Sequence, residues 1–309
     1  MAGIQTTMKL MPKPSLLWTA LVLAAVCEPV FRADASHPSI PNARSDDELV
    51  VSTGVVGVPR AFPPDEAGRK TFFRETKDRA ENGDAEAQQD LGGCYYAGIG
   101  VARDPVEGVK WFRRAADQGY APAQSNLGVC YLNGSGVSQD SVEAVKWLRK
   151  AAEHGNPTAQ SNLGLCYATG KGVAQDYVEA VELFRKAAEQ RNVGAQSNLG
   201  RCYKEGKGVS QDYREAARWY RNAADQGDAE AQGQLGELLA TGKGVPKDYV
   251  QAHKWLNLAS SQGLMEAREL MSRAELEMTG QQIADALRLA REFRLRKAPV
   301  PAAIRPRDL

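Results

Sequence analysis

The chain has 309 residues, a formal net charge of +1, 43% hydrophobic and 25% charged residues. That apolar content supports folded cores and excludes wholesale disorder, and a charge near zero removes the bulk electrostatic case for binding nucleic acid or a membrane surface. Five cysteines cannot all pair within the chain, which argues against a disulfide scaffold, and 29 glycines with no Gly-X-Y period point to some other systematic use of glycine.

Lys9 and Lys13 precede an uncharged, mostly apolar run from Leu16 to Cys27, the form of a secretory signal peptide. The run is shorter than the roughly 20 residues a spanning helix needs, and Ala33-Asp34-Ala35 supplies a small-x-small cleavage pattern. Export to the periplasm or medium is expected, with residues 1–35 removed and no stable membrane span left; anchorage by an uncleaved segment is the alternative. Met8 is a second candidate start, and bulky Val26 disfavours lipid modification of Cys27. Residues 36–68, rich in Pro, Ser, Asp and Gly without a helical period, predict a disordered, flexible tether.

From there the chain repeats itself. Leu-Gly recurs at Leu91-Gly92, Leu127-Gly128, Leu163-Gly164, Leu199-Gly200 and Leu235-Gly236, a period of 36 residues without slippage. Ala87 and its counterparts, the Gly-x-Gly pairs from Gly98 to Gly242, Asp104 to Asp248, and Trp111, Trp147, Trp219 and Trp255 keep the same register. In the second unit Ala123, Leu127 and Tyr131 form one face of a first helix, which Gly134 and Gly136 end. Asp140 caps a second helix, with Glu143 three residues on predicting a capping box that recurs at Asp104/Glu107, Asp176/Glu179 and Asp212/Glu215. Ala144, Trp147, Leu148 and Ala151 form its buried face, while Lys146, Arg149 and Lys150 point to water. The glycine of Leu-Gly costs a helix interior about 1 kcal/mol relative to Ala, which predicts a close approach by the neighbouring helix there. One such pair cannot bury its own apolar faces, so the pairs must stack. The predicted fold is all-α, a right-handed α-α superhelix (solenoid) of antiparallel helix pairs.

The units run at about 84–119, 120–155, 156–191, 192–227 and 228–263 within a solenoid spanning 69–296. Phe72 to Asn82 aligns with a second helix and predicts an N-terminal cap. Leu264 to Glu277 resembles a first helix without its Leu-Gly. Thr279 to Arg294 predicts a closing amphipathic helix with Ile283, Leu287 and Ala290 on one side, before a basic tail at 297–309.

The third unit, Ala159, Leu163-Gly164, Tyr167, Gly170, Gly172-Val173, Asp176, Ala180 and Ala187-Ala188, resembles the Sel-one-like repeat, a relative of the tetratricopeptide repeat. The resemblance covers residues 84–262, with Leu239 in place of a tyrosine and Gly108 in place of an alanine. It implies a non-enzymatic scaffold that binds a protein or peptide partner along its concave groove. It also implies an alternative, because some members are β-lactam-binding or β-lactam-hydrolysing; no Ser-x-x-Lys occurs in this chain to supply that serine chemistry.

No residue set calls for a cofactor, a metal or a catalytic role. Cys94, Cys130, Cys166 and Cys202 hold the same position in four stacked helices, about 8–10 Å apart, too far for disulfides or for one zinc; they read as small buried thiols. His37, His154 and His253 have no fixed partner cluster. Gly164 to Lys171 has one residue too many for a phosphate loop and follows a helix, not a strand.

The first-helix positions opposite the Ala/Leu/Tyr stripe vary between units, and the resemblance places them on the concave side. Tyr96, Val129, Leu132 and Leu165 predict an apolar strip over the first three units; Arg201 and Lys204 add positive charge in the fourth, and Glu237, with Glu230, negative charge in the fifth. The expected occupant is an extended or helical segment with an apolar anchor and an acidic group near Arg201 and Lys204.

Overall fold

The computed structural model describes residues 62–297. The signal segment, Cys27, the tether up to residue 61 and the tail from residue 298 lie outside the described residues. Contacts divide the chain between Glu48 and Leu49, and every described residue belongs to the second unit.

The described residues form thirteen α-helices and no strand. A cap, α1 (Glu66–Glu81), is followed by five helix pairs: α2 (Ala85–Ala97) with α3 (Pro105–Asp117), α4 (Ala121–Asn133) with α5 (Ser141–Glu153), α6 (Pro157–Thr169) with α7 (Tyr177–Glu189), α8 (Val193–Glu205) with α9 (Tyr213–Gln226), and α10 (Ala229–Thr241) with α11 (Tyr249–Ser261). Then come α12 (Met265–Glu275) and α13 (Gly280–Lys297). Within each pair the two helices pack together, and the second packs on the first helix of the next pair, which is the expected solenoid. Helix α1 begins inside the stretch assigned to the tether, because Asp65 caps it by accepting from the Gly68 N–H at 2.9 Å.

The second helices start at aspartates, but the capping box is only half formed. Asp140 Oδ1 accepts from the Val142 and Glu143 amides, each at 3.0 Å. Glu143 does not reach back, since the Asp140 N–H already donates to the Tyr131 carbonyl at 2.9 Å. Its carboxylate instead accepts from Lys146 Nζ at 2.9 Å and from Trp147 Nε1 at 2.9 Å.

Both glycine classes mark close approaches. A Cβ on Gly128 would lie 2.7 Å from Leu148 Cγ and 3.2 Å from the Ala144 carbonyl, so the partner helix occupies the space a side chain would need. Gly134 ends α4 in the left-handed conformation and donates to the Cys130 carbonyl. Gly136, also left-handed at φ +73°, rests on the first turn of the preceding unit's second helix, where a Cβ would overlap the Pro105 carbonyl. Gly172 meets Ser141 in the same way, Gly208 meets Tyr177 and Gly244 meets Tyr213.

Phe112, Leu148, Phe184, Tyr220 and Leu256, one per unit, are fully buried between the layers against the Leu-Gly positions. Cys94, Cys130, Cys166 and Cys202 are buried free thiols, and burial pushes them up to about 12, 12, 11 and 12 respectively.

A buried glutamine row, not evident from the helical pattern, ties the units together. Gln88, Gln160, Gln196 and Gln232 each donate to the carbonyl eight residues earlier and accept from Gln118, Gln190, Gln226 and Gln262, at 2.7–2.9 Å. In the second unit Gln124 keeps its bond to Ala116, but His154 stands where the donor belongs and Gln124 Oε1 is buried without a hydrogen bond.

At the C-terminal end His253, buried on α11, holds Glu275 of α12 through Nε2 at 2.7 Å. Helix α13 then packs on α11. Its buried residues are Ala286, Ala290 and Phe293, while Leu287, expected on the packed side, is 44% exposed. Phe293 stacks edge-on against Trp255 and rotates the packed face away from Leu287.

Candidate interaction surface

Between first helices, α4 approaches α6 and α10 approaches α12. This closeness changes what the variable positions can do. Gln89, Ser125, Ser161 and Ser197 lie buried in the seam between successive first helices. Asn126 Nδ2 donates across it to Gln89 Oε1 at 2.6 Å, and Ser197 Oγ lies 3.3 Å from Asp228 Oδ1.

The seven residues singled out in the sequence fall into two sets. Val129 and Leu165 are buried, at 6% and 7% exposure, and form floor rather than surface. Arg201 is buried as well. Tyr96, Leu132, Lys204 and Glu237 are half-exposed. Tyr96 packs beside Phe112, with ring centroids 6.4 Å apart, and Arg103 stands 6.0 Å from its ring centroid.

The charged end is internally matched. Arg201 Nη2 meets Glu230 Oε1 at 3.2 Å, and Lys204 Nζ meets Glu237 Oε2 and Gln234 Oε1, both at 2.7 Å. The expected acidic occupant near these cations therefore meets carboxylates already in place. Glu230 and Gln234 belong to this network although neither was among the seven; pairs 29, 30 and 33 residues apart are neighbours once the period is 36. At the opposite end, burial raises the Asp90 carboxyl above its ordinary range, with Glu86 and Asp84 as like charges and a Gln89 hydrogen bond opposing. No group of three or more metal-ligating side chains occurs among the described residues.

A model of the Sel1 repeat matches residues 85–120, 121–156, 157–192, 193–228 and 229–264, more than half of the chain. The chain belongs to the Sel1 repeat family. Among solved structures, a Sel1 repeat protein from Oxalobacter formigenes is 30% identical, with 74% of this chain covering 97% of that one at a TM-score of 0.60. The c5321 protein of uropathogenic Escherichia coli, a protective antigen with an SLR fold, is 34% identical over 72% of this chain, with a TM-score of 0.49. This chain spans 56% of that protein's length. A putative Sel1 repeat protein from Klebsiella pneumoniae is 23% identical over 66% of this chain and 99% of its own, at 0.46. Among curated proteins there is no match.

Sel1 repeat proteins are generally scaffolds for protein interaction and typically not enzymes. The similar proteins are bacterial, and among the described residues no helix is long and apolar enough to cross a membrane.

Proposed function

We propose that this Sel1 array is a non-enzymatic adaptor, exported by its N-terminal segment to the periplasm or medium, that holds a protein segment along the inner face of its first helices. The observation that carries this reading is the contrast between rows. Ala87, Leu91 and Gly92 recur in every unit, whereas the inner positions run Tyr96, Leu132, Ala168, Lys204 and Ala240. A scaffold whose packing rows repeat while its inner row changes offers a chemistry that varies along the array.

The half-exposed Tyr96 and Leu132 are the apolar anchor of this reading, with Val129 and Leu165 supporting them from beneath. Lys204 and Glu237 orient the occupant, because their mutual pair leaves little net charge to attract it. A photoreactive amino acid at position 132, compared with position 149 on the outer face, tests the surface in the producing cell. Covalent protein adducts are expected from 132 and not from 149. Adducts from 149 alone, or equally from both, would rule out the inner face.

A further inference from the structure

Helix α13 makes the outer surface at the C-terminal end unlike the rest of the array. Because it packs on α11, Lys254 lies half-buried between the two, 3.9 Å from the Trp255 ring centroid and 5.4 Å from that of Phe293. Lys297 approaches the same Phe293 ring at 5.9 Å, and Arg294 reaches Asn257 Oδ1 at 3.4 Å. Burial holds the Lys254 ammonium below its ordinary range; Asp225 opposes this, while Arg296 on α13 and Arg221 on α9 add to it as like charges. Among the described residues, Arg221, Lys254, Arg294, Arg296 and Lys297 enter no ion pair. Some outer cations earlier in the array are neutralised within their own helix, as in Lys110–Glu107 at 2.8 Å, Lys146–Glu143 at 2.9 Å and Arg218–Glu215 at 3.2 Å, while Arg114 and Lys150 stand singly over Trp111 and Trp147, each 4.2 Å from the ring centroid. The aromatic pair offsets part of the mutual repulsion through its ring faces, which leaves the cluster short of carboxylates.

We propose that this surface, formed by Arg221, Lys254, Arg296 and Lys297, docks an acidic helix of a partner protein. Charge of one sign calls for carboxylates. Lys254 is recessed between two helices, where a glutamate side chain can reach it. A planar anionic bilayer would touch the projecting arginines but not this lysine, so a protein segment fits better than a lipid surface. The surface is separate from the inner face and stands whether or not that face binds.

The test uses the full chain and a fluorescein-labelled amphipathic peptide with Glu on one face and Leu on the other. A counterpart with Gln for Glu, and vesicles of phosphatidylglycerol and phosphatidylcholine in equal parts, serve as comparisons. The Glu peptide is expected to bind, more weakly as salt rises, and the Gln peptide not to bind. Arg221→Gln with Arg296→Gln should weaken binding about tenfold. Arg114→Gln with Arg149→Gln, the same charge change elsewhere on the outer face, should leave it unchanged. All four side chains are at the surface, and unchanged thermal melts would show that folding is intact. Equal loss in both arginine pairs, no binding of the Glu peptide, or binding to vesicles alone would each overturn the proposal.

Discussion

Gln190 Nε2 donates to Gln160 Oε1 across 2.9 Å, and Gln160 Nε2 in turn donates to the Ala152 carbonyl at 3.3 Å. The same relay joins four of the five units, and His154 interrupts it in the second, leaving Gln124 Oε1 buried and unbonded. His154→Gln restores the donor and is expected to stabilise the array by about 1 kcal/mol, the net value of one hydrogen bond. Urea unfolding reads this as a higher midpoint at unchanged slope. A midpoint no higher than wild type would show that the relay contributes nothing.

Arg191 is the one non-glycine residue at positive φ, +65°, among the described residues. It occupies the position held by Gly119, Gly155, Gly227 and Gly263 in other units. A side chain in the left-handed region costs about 1–2 kcal/mol, and glycine's greater freedom in the unfolded chain returns part of that. Arg191→Gly is therefore expected to raise stability by about 0.5–1 kcal/mol, with Arg191→Ala giving no gain.

Gly164→Ala tests the packing of the two layers. Helix propensity alone favours alanine by about 1 kcal/mol. The new Cβ would lie 2.8 Å from Phe184 Cε1 and 3.1 Å from the Ala180 carbonyl, and crowding of this kind costs about 1–3 kcal/mol. The clash should outweigh the propensity, and a lowered thermal midpoint is expected. A raised one would mean that the layers can separate without loss.

Tyr220 occupies the Phe/Leu row, and its hydroxyl is buried without a hydrogen bond; burial raises its ionisation well above the ordinary range. Tyr220→Phe removes the unbonded group at constant shape and is expected to stabilise by about 1 kcal/mol, read by the same urea experiment.

The four buried thiols predict both a reactivity and a pH dependence. In a Cys27→Ser chain, none should react with a thiol reagent at pH 8 while folded, and all four should react after unfolding. Their folded ionisations, pushed up to about 11 or 12, lie above those of unfolded cysteine. The folded state therefore keeps protons that the unfolded state releases, and their contribution to stability falls as pH rises from about 9. Replacing all four by alanine should flatten that fall.

The repeat, the helix starts at Asp104 to Asp248 and the close approach at the Leu-Gly glycines were legible because each depends on residues within one 36-residue period. What escaped lies between units. Gln124 looks like a lone polar residue until stacking brings the Ala116 carbonyl of the preceding unit within 3.2 Å of its amide. Arg201 looks outward on a single helical wheel, yet the next first helix buries it against Glu230. The capping boxes were misread for a related reason: the loop carries the Asp140 N–H back to Tyr131, a bond set by the turn rather than by the helix. Helix α13 departed furthest, because nothing in its own pattern announces that Phe293 will find Trp255 instead of α12.

Gly136, Gly172, Gly208 and Gly244 each rest on the first turn of the second helix one unit earlier, with φ between +71° and +73°. The joint between units is therefore the same mechanical part used four times. Excising one whole period would leave every remaining joint intact, whereas removing a few residues more or fewer would detach a glycine from its seat. Length in this protein is counted in whole units, and the chain can be shortened or extended like a ruler without redesigning its core.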